Sequence, residues 1–329
     1  LAAVLIAASN YGGGIRRHLD LTAQVADVPI VQLPETLSLP HKVARLRAEL
    51  RRHETEHLVT HGVAAALAGR LRGSALKGVA HTEFWHGDPF FGAPARRMAY
   101  RLLRRAGRLP DRQVFVERSI ERLYGERAVV HERLPNAVPI PPAAAARPAG
   151  LPRRAAFVGR LSPEKGYREL LAAWPTTSTE RGWILEIYGS GPLESLAVPG
   201  GVTGHGQVAD SAALMGGVDL LVVPSWTEAS PYAVLEAMAH GVPFVGSAVG
   251  DMPEIARGAG CAWLVPPRDV GALERALREC QEREASELRA AGLAGQRWLS
   301  QNRPFEGWLS AIKQIYWSLP ARLTSAVGA

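Results

Sequence analysis

Cysteine is almost absent. Cys261 and Cys280 are the only two in 329 residues, and their separation fits neither a disulfide framework nor a metal-binding motif. A reducing cytoplasm is the compartment expected. No apolar run reaches the ~18 residues that a membrane-spanning helix needs. The apolar opening, residues 1–8, has no basic stretch and runs straight into glycines, so it reads as a first buried strand and not as a signal peptide. Lysine is scarce too: Lys42, Lys77, Lys165 and Lys313 are the only four, and the basic residues are nearly all arginine. Both common glycine-rich nucleotide signatures are missing. Residues 9–18 carry no Gly-Lys-Ser/Thr, and Gly189-Ser-Gly191 lacks the third glycine of a dinucleotide fingerprint. His41, His53, His57, His61, His86, His131, His205 and His240 stand singly, with no spacing that gathers metal ligands. No metal and no cofactor is expected.

What remains is an ordinary globular composition, 47% apolar and 21% charged, in a chain long enough for two α/β domains of about 150 residues each. Short apolar runs alternate with helical patterns, the sign of βαβ units and parallel sheets. In the first half strands are expected at residues 3–8, 29–33, 57–60, 78–81, 113–116 and 128–132, with helices such as 15–26 and 95–106 between them. Residues 137–152 are rich in Pro and Ala and read as a linker. Beyond it, strands are expected at 155–158, 184–188, 220–223 and 243–245. Helices are expected at 167–173, 211–215, 231–240, 270–283 and 285–299. A last amphipathic stretch, 305–319, carries Trp308, Ile312, Ile315 and Tyr316 at helical spacing. The expected architecture is two Rossmann-like doubly wound domains facing across a cleft, residues 1–150 and 151–304. Residues 305–329 would add a helix packing back on the first domain, and a tail.

Three segments carry chemistry. In PSWTEASPYAVLEAMAHGVPFVGSAVGDMP, residues 224–253, Ser230 and Pro231 make a helix start and Gly241 with Pro243 a stop. The helix begins just past a buried strand, where its free amides face an anion. Glu236 lies inside it among apolar residues, where a carboxylate needs a partner; a ribose hydroxyl pair would serve, and so would a structural bond to backbone or arginine. In Val158-Gly-Arg-Leu-Ser-Pro-Glu-Lys-Gly166, Arg160 and Lys165 flank the positive end of the next helix, which makes sense with a phosphate between them. In residues 9–18, three glycines precede Arg16 and Arg17 in a helix's first turn, again the wrong end for cations without an anion.

With these residues the sequence resembles the large retaining glycosyltransferase family 4 of GT-B fold, the glycosyl transferases of group 1. Glu228 and Glu236 match its Glu-x7-Glu pair, and Arg160 and Lys165 its donor-phosphate cations. Gly206-Gln-Val208 matches its nucleobase-side loop. Gly13, Gly14 and His18 match its GGxxxH segment, His81 its active-site histidine at a strand end, and Asn136 its NGV turn. The resemblance implies a metal-independent, retaining hexosyltransferase. Glu236 would hold the ribose, Arg160 and Lys165 the diphosphate, and Glu228 would lie near the donor sugar. Gly13 and Gly14 would approach the phosphates, and His81 the sugar or acceptor. Ser230, Tyr232 and Ala233 would line the donor at the helix start. UDP is the default donor base and GDP the alternative. Ala229 and Pro231 replace common glycines and Glu117 a frequent serine, which leaves the sugar open.

The charge is uneven: residues 1–150 hold 22 Lys+Arg against 13 Asp+Glu, and the remainder 16 against 18. Around 95–112, Arg97, Arg101, Arg104 and Arg108 share one helical face, and Met98, Leu102, Ala106 and Leu109 another. Such a helix suits an anionic membrane surface with a lipid-linked acceptor, or an acidic glycan; a solvated helix is the plain alternative. A peripheral place on the inner face of the cell membrane follows from the first reading. Nucleic acid is not expected, since no recognition motif accompanies the charge. Envelope or exopolysaccharide assembly is the expected setting. The competing functions are a nucleotide-sugar epimerase of the same fold and a non-catalytic nucleotide-sugar-binding scaffold.

Overall fold

The apolar runs of the sequence become strands of two parallel sheets. The computed structural model describes residues 4–8, 13–23, 28–34, 36–71, 78–88, 91–142, 153–175, 178–208 and 210–318. It divides into Leu1–Asn136 with Glu306–Ala329, and Ala137–Phe305. The start of the first expected strand (residue 3), the glycine-loop residues 9–12, residues 24–26 of the first expected helix and the linker stretch 143–152 lie outside the described residues.

The first unit runs β1 (Val4–Ala8), α1 (Gly13–Thr22), β2 (Ile30–Gln32), α2 (Leu39–Arg52), β3 (His57–His61), α3 (Val63–Arg70), β4 (Ala80–Trp85), α4 (Pro94–Ala106), β5 (Arg112–Phe115), α5 (Arg118–Tyr124) and β6 (Val130–Arg133). Its sheet order is β2-β1-β3-β4-β5-β6. β1 and β3 are buried at every position, as a parallel sheet covered on both faces requires. Leu5, Leu33, Leu46, Leu50 and Leu58 form the core beneath α2 and α3, each contributing about 1.5–3 kcal/mol by leaving water. α3 escapes detection from sequence because VAAALAGR is buried nearly throughout and shows no polar face. β4 begins at Ala80 and continues to Trp85, beyond the expected 78–81. Glu117, unusual by family pattern, is the N-cap of α5 and accepts from the Ser119 amide at 2.8 Å.

The second unit runs β7 (Arg153–Val158), α6 (Tyr167–Ala173), β8 (Trp183–Tyr188), β9 (Val202–Gly204), α7 (Ser211–Met215), β10 (Leu220–Val223), α8 (Tyr232–Ala239), β11 (Phe244–Ser247), α9 (Met252–Ala259), β12 (Ala262–Val265), α10 (Val270–Glu282) and α11 (Ala285–Asn302). The sheet order is β12-β11-β10-β7-β8-β9. The edge strands β9 and β12 are not among the expected strands; β9, VTG, is half-buried to exposed and has no apolar run to mark it. Asp210 and Asp269 cap α7 and α10, and Glu284 with Glu287 forms a capping box on α11.

The final helix, α12 (Phe305–Trp317), belongs to the first unit beyond its opening residue. Its Tyr316 carbonyl meets His57 Nδ1 at 2.7 Å, and its Ile315 carbonyl accepts from Arg112 at 3.4 Å. Nearby, Arg70 is buried and makes a two-pronged pair with Glu83, at 2.6 and 2.8 Å. Gln113 donates to the same carboxylate at 2.9 Å.

His57 is enclosed, and burial lowers its pKa to about 4. A histidine in the unfolded chain titrates near 6.5, so between about pH 6.5 and 4 the unfolded state binds a proton that the native state refuses. Native stability is therefore full above pH 6.5 and declines as pH falls through that window, by up to about 1.4 kcal/mol per pH unit for each such histidine. Urea unfolding across this range should show the decline, with a shallower slope in His57→Gln; an unchanged slope would remove His57 from the account.

Candidate functional site

Open α/β sheets bind ligands where the strand order reverses, beyond the carboxyl ends of the strands. In the second sheet that point lies between β7 and β10. The loop after β7 ends in a single 3-10 turn, Pro163–Lys165, followed by Gly166 at φ +68°. A β-carbon at Gly166 would overlap the carbonyl oxygen of Pro224, the first residue after β10. Glycine thus allows the two loops to touch through their backbones, and the amide of Trp226 donates to the Glu164 carbonyl at 2.9 Å. The approach delivers Lys165 Nζ to Glu228 Oε1 at 2.5 Å, and Ser225 Oγ donates to the same oxygen at 2.8 Å. Arg160 is exposed at the mouth of the first loop.

α8 begins at Tyr232 with Pro231 in the N-cap position, one residue later than the expected start with Ser230 as cap. The Ser230 hydroxyl instead accepts from Arg303 at 3.2 Å, and Arg303 also donates to Asp251 at 2.7 Å. Gly250, at φ +59°, lies against the carbonyls of Glu228 and Ala229. The loop bearing Glu228 is therefore held from behind by a buried Arg–Asp pair, residues to which the sequence reading gave no role. Tyr232 is buried and Ala233 half-buried. Glu236 is only 1% exposed, and its Oε2 accepts from Ser211 Oγ at 2.6 Å. Gly206, Gln207 and Val208 follow β9, and the Gly189 amide donates to the Gly206 carbonyl at 2.8 Å. A cavity of about 260 Å³ lies at the opposite edge, beside Arg153, Asp219 and Pro243 at the amino ends of the strands, and contains none of these residues.

In the first unit Gly13 and Gly14 form the first turn of α1. His81 is not at a carboxyl strand end. It is the second residue of β4, 0% exposed, with Nε2 3.0 Å from Thr60 Oγ1 and its ring against Gly69. The carboxyl ends of β3 and β4 present His61 and His86, and α1 adds His18. One nitrogen from each of the three rings lies within 4.8 Å of the other two. Burial is the main cause that lowers all three pKa values, His86 to about 4 and the others well below 6.5, and their mutual repulsion adds to it for His18 and His61. All three are neutral at pH 7. The reading of scattered histidines without ligand spacing is therefore corrected, since strand pairing gathers residues far apart in sequence. A signal is present: His61 ends β3, His86 directly follows β4, and each is followed by glycine.

α4 departs from its expected arrangement. Arg97 pairs with Asp88 at 2.5 Å and Arg104 with Glu126 at 3.3 Å, both half-buried. They share a face with buried Tyr100, which turns the helix so that Met98 (55%) and Leu102 (60%) are exposed. Arg101 is half-buried and Arg108 exposed.

Two parallel six-stranded sheets flanked by helices are the architecture of the GT-B fold, which this chain shares with solved glycosyltransferases. Residues 152–283, which lie within the second unit, match the family model described as glycosyl transferases group 1. Glycogen synthase of Mycobacterium tuberculosis is 32% identical over 190 residues, 53% of this chain and 45% of the relative. The 2-deoxystreptamine N-acetyl-D-glucosaminyltransferase of Streptomyces fradiae is 34% identical over 145 residues, 39% of this chain and 34% of the relative. The matches thus span less than half the length of these curated relatives. Among solved structures, Anabaena HepE in complex with UDP and glucose has a TM-score of 0.79 at 17% identity, over 97% of this chain and 100% of its own.

Because Gly166 combines positive φ with backbone contact, Gly166→Ala should cost about 1–3 kcal/mol of stability and weaken the Lys165–Glu228 pair. Chemical denaturation at pH 7 measures the loss; a variant as stable as wild type would show that the loops can part without cost.

Proposed function

We propose that this chain is a retaining glycosyltransferase that draws its sugar from a nucleotide diphosphate donor, UDP-linked by default. The observation that carries the reading is the Lys165–Glu228 pair at the switch point of a group 1 domain. Glu228 neutralises Lys165; an arriving diphosphate would compete for the ammonium and, with exposed Arg160, take up the cationic charge. Glu236 is oriented by Ser211, with its carboxylate at the start of α7, and is the residue assigned to the ribose. Gly206, Gln207 and Val208 would face the base, and Ser230, Tyr232 and Ala233 the donor at the start of α8. Gly13 and Gly14 are assigned to the phosphates. Preorganised cations stabilise charge on a leaving diphosphate without needing to reorganise during reaction, so no metal is required at the phosphates. Retention follows if the leaving phosphate accepts the proton of an acceptor attacking from the same face. The relation to HepE, described with UDP and glucose, supports the UDP reading.

On the acceptor side, the exposed Met98, Leu102 and Leu103 of α4, with exposed Arg96 and Arg105 on the same helix, fit a helix lying on anionic lipid and a lipid-linked acceptor, in envelope or exopolysaccharide assembly. No helix among the described residues is long and apolar enough to cross a membrane.

UDP at about a hundred times its dissociation constant should stabilise the native state by roughly 2.7 kcal/mol, visible as a raised unfolding midpoint that Glu236→Ala abolishes. Lys165→Ala or Arg160→Ala should lose most turnover with a UDP-sugar. Near-wild-type rates in both would end the phosphate assignment, and no shift with UDP, GDP, dTDP or ADP would favour a non-catalytic scaffold. For the membrane reading, vesicles containing anionic lipid should sediment wild-type protein, and Met98→Asp with Leu102→Asp should release it. Equal sedimentation of wild type and variant would exclude α4 as the contact.

A further inference from the structure

His18, His61 and His86 take no part in the donor reading, yet they meet at the carboxyl edge of the first sheet, beside the β1/β3 point where its strand order reverses. We propose that these three side chains form a tris-imidazole site for one divalent transition-metal ion of the zinc type.

Geometry carries the proposal. The ring centroids are 5.2 Å apart for His18 and His61, 4.7 Å for His18 and His86, and 5.1 Å for His61 and His86. An ion about 2.0–2.1 Å from each nitrogen, tetrahedrally arranged, holds imidazole centroids roughly 5 Å apart. The rings already stand at that spacing. His61 Nδ1 and His86 Nε2 are 2.8 Å apart and share a proton; around an ion they would open by roughly half an ångström and both rings would tilt to aim their lone pairs at it. No net proton leaves. One ring changes tautomer, either His61 to Nε2–H, which lies 3.2 Å from the Tyr316 hydroxyl, or His86 to Nδ1–H. The Tyr316 contact is the kind of outer partner that fixes a ligand's orientation and tautomer.

The surroundings agree. Phe84 stacks on His61 at 4.8 Å, and Trp308 meets His18 edge-on at 5.1 Å. These apolar walls keep the rings neutral, so each offers a lone pair, and neutral imidazole is the form that binds zinc, nickel, cobalt or copper. His86 is the least buried of the three. Three protein ligands leave a fourth position for water or another oxygen ligand, the arrangement of an open site. Ligand count, ring spacing and an outer partner are all present.

Co2+ titration of the chelator-treated full chain tests this directly. One equivalent should produce the intense visible d–d absorption of a tetrahedral nitrogen-ligated ion, Zn2+ should displace it, and Zn2+ should raise the thermal midpoint. His86→Gln and His18→Gln should each weaken binding by about 100-fold or more, with far-ultraviolet circular dichroism unchanged. Should either variant fail to fold, Tyr316→Phe keeps all three rings and should weaken binding by about 10–100-fold. Co2+ remaining in its pale octahedral aqua form, or binding undiminished in the folded variants, would overturn the site.

Discussion

The backbone contact between Gly166 and the Pro224 carbonyl is the constraint on which the second unit's chemistry depends. Parallel sheets place their loops at one edge, but edge alone does not set distance. Here the missing side chain at Gly166 lets the loop after β7 rest on the loop after β10, and that contact sets how far Lys165 must reach for Glu228. Gly250 and the Arg303–Asp251 pair brace the same loop from the other side. A residue that carries charge for a ligand is useful only while it is held where the ligand arrives. In this unit the holding is done by backbone contact and a buried ion pair.

The first unit solves a different problem. Its interior takes in His18, His57, His61 and His81 with Arg70, Glu83 and Gln113, groups that are costly to bury unless partnered or neutral. Arg70 and Glu83 are charged and paired, with Gln113 filling the remaining acceptor. His18, His57 and His61 take the other route, held neutral by burial. Polar interiors of this kind specify one arrangement, because sliding a strand by one residue would leave a charge alone in the core.

Much of this was legible in the sequence. The βα alternation, α6, α7 and the segment 224–253 came from local patterns that tertiary packing did not override. Arg160, Lys165 and Glu236 stand out because cations at a helix start and a carboxylate in an apolar run each need a partner, whereas Glu228 is marked only by its spacing from Glu236 in the family pattern. The misses have common physics. α3 has no polar face to give it a period, and β9 has no apolar run to mark it. His81 matches a family histidine expected at a strand end, yet it sits at the amino end of β4, where the side chain is enclosed. His61 and His86 were passed over because their proximity arises from the β3–β4 register, which pairs His61 with Phe84 and is invisible in linear spacing. The orientation of α4 was likewise settled by Tyr100, Arg97 and Arg104 acting together against the sheet.

The return of α12 to the first unit bears on the order of events at the ribosome. His57 and Arg112 find the carbonyls of Tyr316 and Ile315 across 259 and 203 residues, so the amino-terminal half emerges without the helix that completes it. The second unit, continuous in sequence from Ala137 to Phe305, has all its own parts as soon as Arg303 is free to meet Asp251. Domains usually mature in the order they are synthesised. In this chain the later domain can close first, while the earlier one waits with its buried histidines still open to water.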